Sequence, residues 1–250
     1  MISRFRLVTG CVLVASGLAG ATEPMHDSPE PRAIVERAIE AAGGKSRLES
    51  LPAFHAVTTG SSAAGEQLRQ EAFHQLPDHL KQLQQIIRGE TTKETSIGLM
   101  GESGWIHANG RSAPLSPALL EPLLEAANLV RAVRLTPLLT DTYRLTSLPA
   151  AQIDRRAVLG VCAAATKRRD LKLYFDREMG LLVKVERQVI NPLSQQEATE
   201  ERYMRDYQKA NGILAARQIV VERNGQPYMA ATVEKIEYLP RLDDSVFRQP

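Results

Sequence analysis

Cysteine is nearly missing from this 250-residue chain: only Cys11 and Cys162 occur. Cys11 lies in an N-terminal apolar stretch read below as a cleaved export signal. Cys162 would then stand alone, which excludes an internal disulfide. A lone cysteine in the apolar run AVLGVCAAAT reads as a small core residue, not a nucleophile. A dominant charge is lacking too. Lys and Arg number 31 against 29 Asp and Glu, a net charge of +2, and this excludes the basic footprint of a nucleic-acid binder. The basic spots Arg155-Arg156 and Lys167-Arg168-Arg169 sit among acids and read as solvated strand or turn positions. Long hydrophobic runs are absent except for Leu7 to Ala21, whose fifteen residues fall short of the ~20 that a membrane span needs. What is present, 43% hydrophobic and 24% charged residues, is the composition of an ordinary globular protein.

Motifs that name a reaction are lacking as well. The histidines are His26, His55, His74, His79 and His107. His74 and His79 are five apart across a Pro-containing turn, whereas a zinc helix needs two histidines four apart with a glutamate between. With His55 they could converge across strands, but scattered surface histidines are the simpler reading. GESG (101–104) lacks the serine placement of a nucleophile elbow. TGSSAAG lacks the lysine and the following helix of a phosphate cradle. The pairs Glu200-Glu201 and Asp243-Asp244 are sequence neighbours, which point to opposite faces of a strand and cannot share an acid–base site. They are expected to be solvated turn or edge residues. Trp105 and Tyr174 read as core aromatics. No catalytic residue, metal ligand or cofactor site is assigned.

The N-terminus carries the clearest signal. MISRFR supplies Arg4 and Arg6, an apolar stretch follows, and Ala19-Gly20-Ala21 fits a small-residue cleavage site. Residues 1–21 are therefore expected to be an export signal that delivers the chain to the periplasm. VTGC (8–11) resembles a lipoprotein cleavage box, but only four apolar-segment residues precede Cys11, which argues against a lipid anchor there. Residues 22–31 form a Pro-rich leader. RAIVERAIEAAGG then places Ile34, Val35, Ala38, Ile39 and Ala42 on one helical face, stopped by Gly43-Gly44. Strand signals follow at 54–62, 66–76, 79–87, 92–100 and 104–115. Within SPALLEPLLEAANLVRAVRLTPLL (116–139) an apolar helix is expected over 116–134, opened by Ser116 and Pro117, with Pro122 kinking it or delaying its start. Strands resume at 143–148 and 157–166. LKLYFDREMGLLVKVERQV (171–189) reads as a hairpin, apolar on one side and charged on the other, and 200–239 continues the β pattern. Asn-Gly, the strongest short hairpin signal, occurs at 109–110, 211–212 and 224–225. The expectation is an antiparallel meander of about ten strands with two main helices.

These residues resemble a known family. LKLYFDREMGLLVKVE, EERYMRDYQKANGILAARQIVV, VEKIEYLPRLDDSVFRQP and GESGWIHANGR are similar to segments of the LolA/LppX-like superfamily of exported lipoprotein-sorting and lipid-carrier proteins. The tail matches through Ile236, Asp243-Asp244, Phe247 and Pro250. IDRR at 153–156 departs from the family's usual D-G-R hairpin. The resemblance implies one α+β, mainly antiparallel domain over 32–250: a strongly curved, incomplete β-barrel with helices on its concave face. It implies a non-enzymatic carrier, a monomer, for lipid or lipoprotein acyl chains, with inner- and outer-membrane envelope proteins as partners and no nucleic acid. The expected lining of the apolar cavity is Leu120, Leu124, Leu173, Phe175, Leu182, Val183 and Val185, with Lys172, Lys184 and Glu186 facing water. Adjacent Leu182 and Val183 should face opposite ways, so at least one of them is misplaced in that set. Two alternatives stay open: an interaction or envelope-assembly module with a filled core, and, with the least support, a hydrolase acting on an envelope lipid.

Overall fold

The computed structural model describes residues 29–191 and 196–250. The export signal, Cys11 and leader residues 22–28 lie outside the described residues. Helix α1 (Pro31–Ala42) begins with proline at its first turn, where the missing N–H costs no bond. Its buried face is the expected set: Ile34, Val35, Ala38, Ile39 and Ala42. Burying Ile34, Val35 and Ile39 contributes on the order of 2 kcal/mol each. Gly43, at φ +133°, ends the helix, and a methyl there would lie 2.6 Å from the carbonyl of Gly212. A short helix α2 (Lys45–Ser50), too brief to leave a periodic pattern, follows it.

Fourteen strands among the described residues form one sheet. They are β1 (Ala53–Ser62), β2 (Gln67–Gln75), β3 (His79–Arg88), β4 (Thr91–Met100), β5 (Ser103–Ala108) and β6 (Arg111–Pro114), then β7 (Tyr143–Ser147), β8 (Ala151–Ile153), β9 (Arg156–Ala165) and β10 (Leu171–Asp176), and finally β11 (Leu182–Ile190), β12 (Glu197–Ala210), β13 (Ile213–Arg223) and β14 (Gln226–Leu239). The strand order is β6-β5-β4-β3-β2-β1-β14-β13-β12-β11-β10-β9-β7, with β8 paired to β9. Every pairing is antiparallel, as the meander reading expects. The expected count of about ten is corrected to fourteen. GWIHANGRSAPL folds as two strands, 200–239 holds three, and the three-residue β8 is too short to alternate visibly. Each Asn-Gly pair turns a hairpin with both residues at positive φ, from 49° to 80°. That is the backbone of a primed two-residue turn, which only such residues adopt cheaply.

Between the two halves of the sheet lies α3 (Pro117–Val133). It runs through Pro122 unbroken, since that proline sits in the second turn and forfeits a single helical hydrogen bond. The helix ends at Val133, within one residue of the expected 116–134. At Leu135, φ +66° and ψ −52°, with the Thr136 N–H donating to the Arg134 carbonyl at 2.8 Å, make the rarer, strained form of γ-turn. A single 3-10 turn, Thr136–Leu139, follows.

One helix reports the curvature of the sheet. Leu123 and Ala127 of α3 join a cluster with Leu80 of β3 and Leu99 of β4. Between these two residues, the Glu125 carbonyl accepts from Arg187 Nη1 of β11 at 3.3 Å. Strands β4 and β11 are seven neighbour steps apart, roughly 34 Å in a flat sheet at about 4.8 Å per step. A helix about 10 Å across touches both, so the sheet must curl around it. The end strands β6 and β7 do not pair, and the curl stays open.

Candidate functional site: the inner face beneath helix α3

Alternation and register assign the inner face. Phe54, Ala56, Thr58 and Gly60 of β1 lie opposite His74, Ala72, Gln70 and Leu68 of β2. Continuing across β3 and β4, Leu80, Gln82 and Gln84 meet Leu99, Ile97 and Thr95. The 171–189 hairpin contributes Leu171, Leu173 and Phe175, with Val185 opposite Leu173 and Leu182 opposite Phe175. All five are buried with the apolar face of α1 in one core cluster. Of the proposed cavity residues, Leu173, Phe175, Leu182 and Val185 therefore sit together against α1. Leu120 and Leu124 sit apart from them, packed on the Leu80–Leu99 cluster. Val183 turns the other way and lines an outer-face groove of about 560 Å³ with Met179, Tyr203 and Leu214.

Beyond this apolar floor the inner face becomes charged. Glu200 of β12, expected in solvent, is completely buried, and that expectation is corrected. Its Oε1 accepts from Arg187 Nε and Nη2 at 3.0 and 2.8 Å and from Arg202 Nε at 2.8 Å. Its Oε2 accepts from Arg223 Nε and Nη2 at 3.2 and 2.9 Å. The register explains the convergence: Glu200 faces Arg187 on β11 and Arg223 on β13, while Arg202 is two residues along the same strand. Burial pushes the carboxyl pKa up. The charges of Arg202 and Arg187 and the hydrogen bonds of Arg202 and Arg223 outweigh it and hold the value at about 2. Glu201 points to the opposite face, where Lys184 bonds it, so the two acids share no site.

Helix α3 is tied down on both flanks. Glu121 accepts from Arg168 at 3.0 Å, and the Glu125 carboxylate takes the Arg169 N–H at 3.2 and 3.3 Å. On the other side Arg131 donates twice to the Pro77 carbonyl, at 3.0 and 2.9 Å. At its end, buried Arg134 donates to the carbonyls of Leu48 and Leu51 and lies 4.5 Å from the centre of the Tyr238 ring.

His74 is another correction to the surface reading. Its ring is 5% exposed and stacks on Phe54 at 4.7 Å, and burial lowers its pKa to about 3. His55 bonds Glu71 and His79 bonds Asp78, on separate carboxylates. No group of His, Cys, Asp and Glu among the described residues could hold a metal ion.

The outer face carries Lys172, Lys184 and Glu186, as expected. Only Lys172 is well solvated, because Lys184 and Glu186 are largely covered within a network that includes Glu201. Cys162 shares that face, opposite Lys172. It is half-buried beside Asp170, not in the core. Trp105 is core, donating to the Phe247 carbonyl at 2.9 Å, while Tyr174 is only half-buried beneath Lys184. A polar groove of about 610 Å³ with Arg69, Glu71, Glu94 and His107 among its walls lies elsewhere on the sheet.

No protein-family model matches the sequence, and no curated protein does. Solved structures match it in shape. A LolA superfamily protein from Nitrosomonas europaea superposes with a TM-score of 0.61 at 14% identity, covering 88% of this chain and 98% of that one. A domain described as an outer membrane lipoprotein-sorting protein domain, from Vibrio parahaemolyticus, gives 0.54 at 13% identity over 85% and 95%. A DUF1329 family protein from Desulfovibrio piger gives 0.54 at 11% over 88% and 98%. At these identities the likeness is one of fold: the chain has the curved, open sheet of LolA superfamily proteins. Among the described residues no helix is long and apolar enough to cross a membrane.

Proposed function

We propose that this protein is an exported, periplasmic, non-enzymatic carrier that shelters lipid or lipoprotein acyl chains between the inner face of its sheet and helix α3. One observation carries the reading. The apolar inner face is roofed by two helices that are held differently. Helix α1 is embedded in the large core cluster. The first half of α3 rests on a small cluster built on Leu80, Leu99, Leu123 and Ala127 and is otherwise secured by the polar ties of Glu121 and Glu125. Lifting that first half exposes Leu120, Leu124 and Ile97 and leaves Leu129 and Ala132 of the second half in the large core cluster. The floor under α1, with Leu173, Phe175, Leu182 and Val185, extends the same apolar surface. An acyl chain gains about 0.8 kcal/mol for each methylene moved there from water. The fold shared with the lipoprotein-sorting domain from Vibrio parahaemolyticus supports the same use.

The test is uptake of a fluorescent fatty acid by the purified protein, with native mass spectrometry of the untreated sample. Saturable uptake at one chain per protein is expected. A Trp at Leu124, under the roof, should block it, whereas a Trp at Val183, on the outer face, should not. A lipid-free protein that takes up no acyl chain overturns the reading. That result would favour an interaction module with a filled core, for which the tight packing beneath α1 speaks.

A further inference from the structure

We propose that Arg202 and Arg223 form a recognition site for the anionic head, phosphate or carboxylate, of an amphiphile whose apolar part lies on the neighbouring inner face. The inference rests on the carrier reading and names the class of cargo. Its basis is an imbalance of charge and of donors. Three guanidiniums surround one carboxylate, and that carboxylate is sealed from water. Arg187 is itself nearly buried, with its donors given to Glu200 and to the Glu125 carbonyl. Arg202 gives only Nε to Glu200, leaving both terminal nitrogens without a partner among the described residues. Arg223 keeps Nη1 free in the same sense.

Both side chains reach solvent, at 27% and 31% exposure. The face of the Arg223 guanidinium is stacked on Tyr228, 3.6 Å from the ring centre, which leaves its edge to bind. Glu200 thus acts as a scaffold. It fixes two partly exposed forks on adjacent strands, and a fork of N–H donors is suited to a phosphate or carboxylate.

The other charges packed around the cluster do not cancel it. Glu125 is engaged by the Arg169 amide and faces Arg168, Glu121 pairs with Arg168, and Glu197 pairs with Arg169.

Register supplies the apolar half of the site. Arg202 lies opposite Val221, which lies opposite Met229, and one step inward Met204 lies opposite Ile219. A ligand with its anion on the arginines would run its chain along these residues toward the apolar side chains that α3 covers.

The experiment compares dodecyl phosphate, dodecanol and inorganic phosphate as competitors of a bound fluorescent fatty acid, with calorimetry for phosphate alone. In the wild-type protein dodecyl phosphate should compete at least tenfold better than dodecanol. Arg202→Gln together with Arg223→Gln should weaken the fatty acid itself and erase that preference, while the inhibition constant of dodecanol, corrected for the weaker probe, stays unchanged. Arg205→Gln, an exposed residue on the outer face paired with Asp154, serves as control and should change nothing. Circular dichroism confirms that each variant folds. Equal competition by dodecanol and dodecyl phosphate overturns the head-group site and leaves the carrier reading standing. Arginine-dependent binding of inorganic phosphate without uptake of any chain overturns the carrier reading, and with it the amphiphile, and leaves a site for free anions.

Discussion

Replacing Glu200 by glutamine would leave three guanidiniums gathered around a neutral amide. Removing one partner of a buried ionic cluster costs about 3–5 kcal/mol, so E200Q should lower the urea midpoint by that equivalent at neutral pH. The same residue makes stability depend on pH. Its folded pKa of about 2 lies below the ordinary 4.5, so its contribution is complete above pH 4.5 and fades as pH falls toward 2. His74 acts over a higher range. With its pKa lowered from 6.5 to about 3 by burial, the neutral ring is favoured in the folded state, and this stability is lost progressively as pH drops below 6.5. The melting temperature should therefore decline from pH 6.5 downward. His74→Phe, which keeps a ring against Phe54, should flatten the decline between pH 6.5 and 4.5. A curve identical to wild type would refute the assignment. Neither residue was legible in sequence. Two adjacent glutamates read as solvated, and the arginines that bury one of them stand at 187, 202 and 223, brought together only by strand register. The apolar alternation of Leu173, Phe175 and Val185 was legible, since it needs no knowledge of the partner strand.

At the scale of elements, α1 and α3 differ in a way that hydrogen exchange can read. If α3 lifts while α1 stays, amides in the first half of α3 should exchange through a local opening that costs less than global unfolding, and those of α1 only with the whole molecule. Equal protection in the two helices would contradict a movable roof. A second prediction concerns the contact of β1 with β14. A methyl added to Gly60 would lie 2.3 Å from the Ala230 carbonyl, so Gly60→Ala must push the strands apart at a cost of about 1–3 kcal/mol. The urea midpoint and the exchange of Thr58–Ser62 amides check it. Helix α1 and the Asn-Gly hairpins could be read from sequence because their signals are local: a 3.6-residue stripe and a backbone that only certain residues adopt. Helix α2 and strand β8 could not, having six and three residues. The strained turn at Leu135 just past α3 was hidden as well, since leucine does not advertise it.

On the scale of the whole molecule, the sheet is two meanders joined at one seam. Strands β1–β6 form one half and β7–β14 the other, and they meet where β1 pairs with β14. Antiparallel class was legible from the turns, but curvature was not, because it arises from accumulated twist and from helices that touch distant strands. The seam has a consequence for how such a chain is made. Ala53 lies opposite Leu239, and Ser62 opposite Met229, so of the fourteen described strands the partner of the first is the last to be synthesised. Until then the early meander presents β1 as a bare border, the kind of edge that invites pairing with another molecule. A nascent copy therefore needs shielding from its siblings until Gln226–Leu239 emerges, and ending synthesis before that stretch should yield aggregates instead of a smaller working protein.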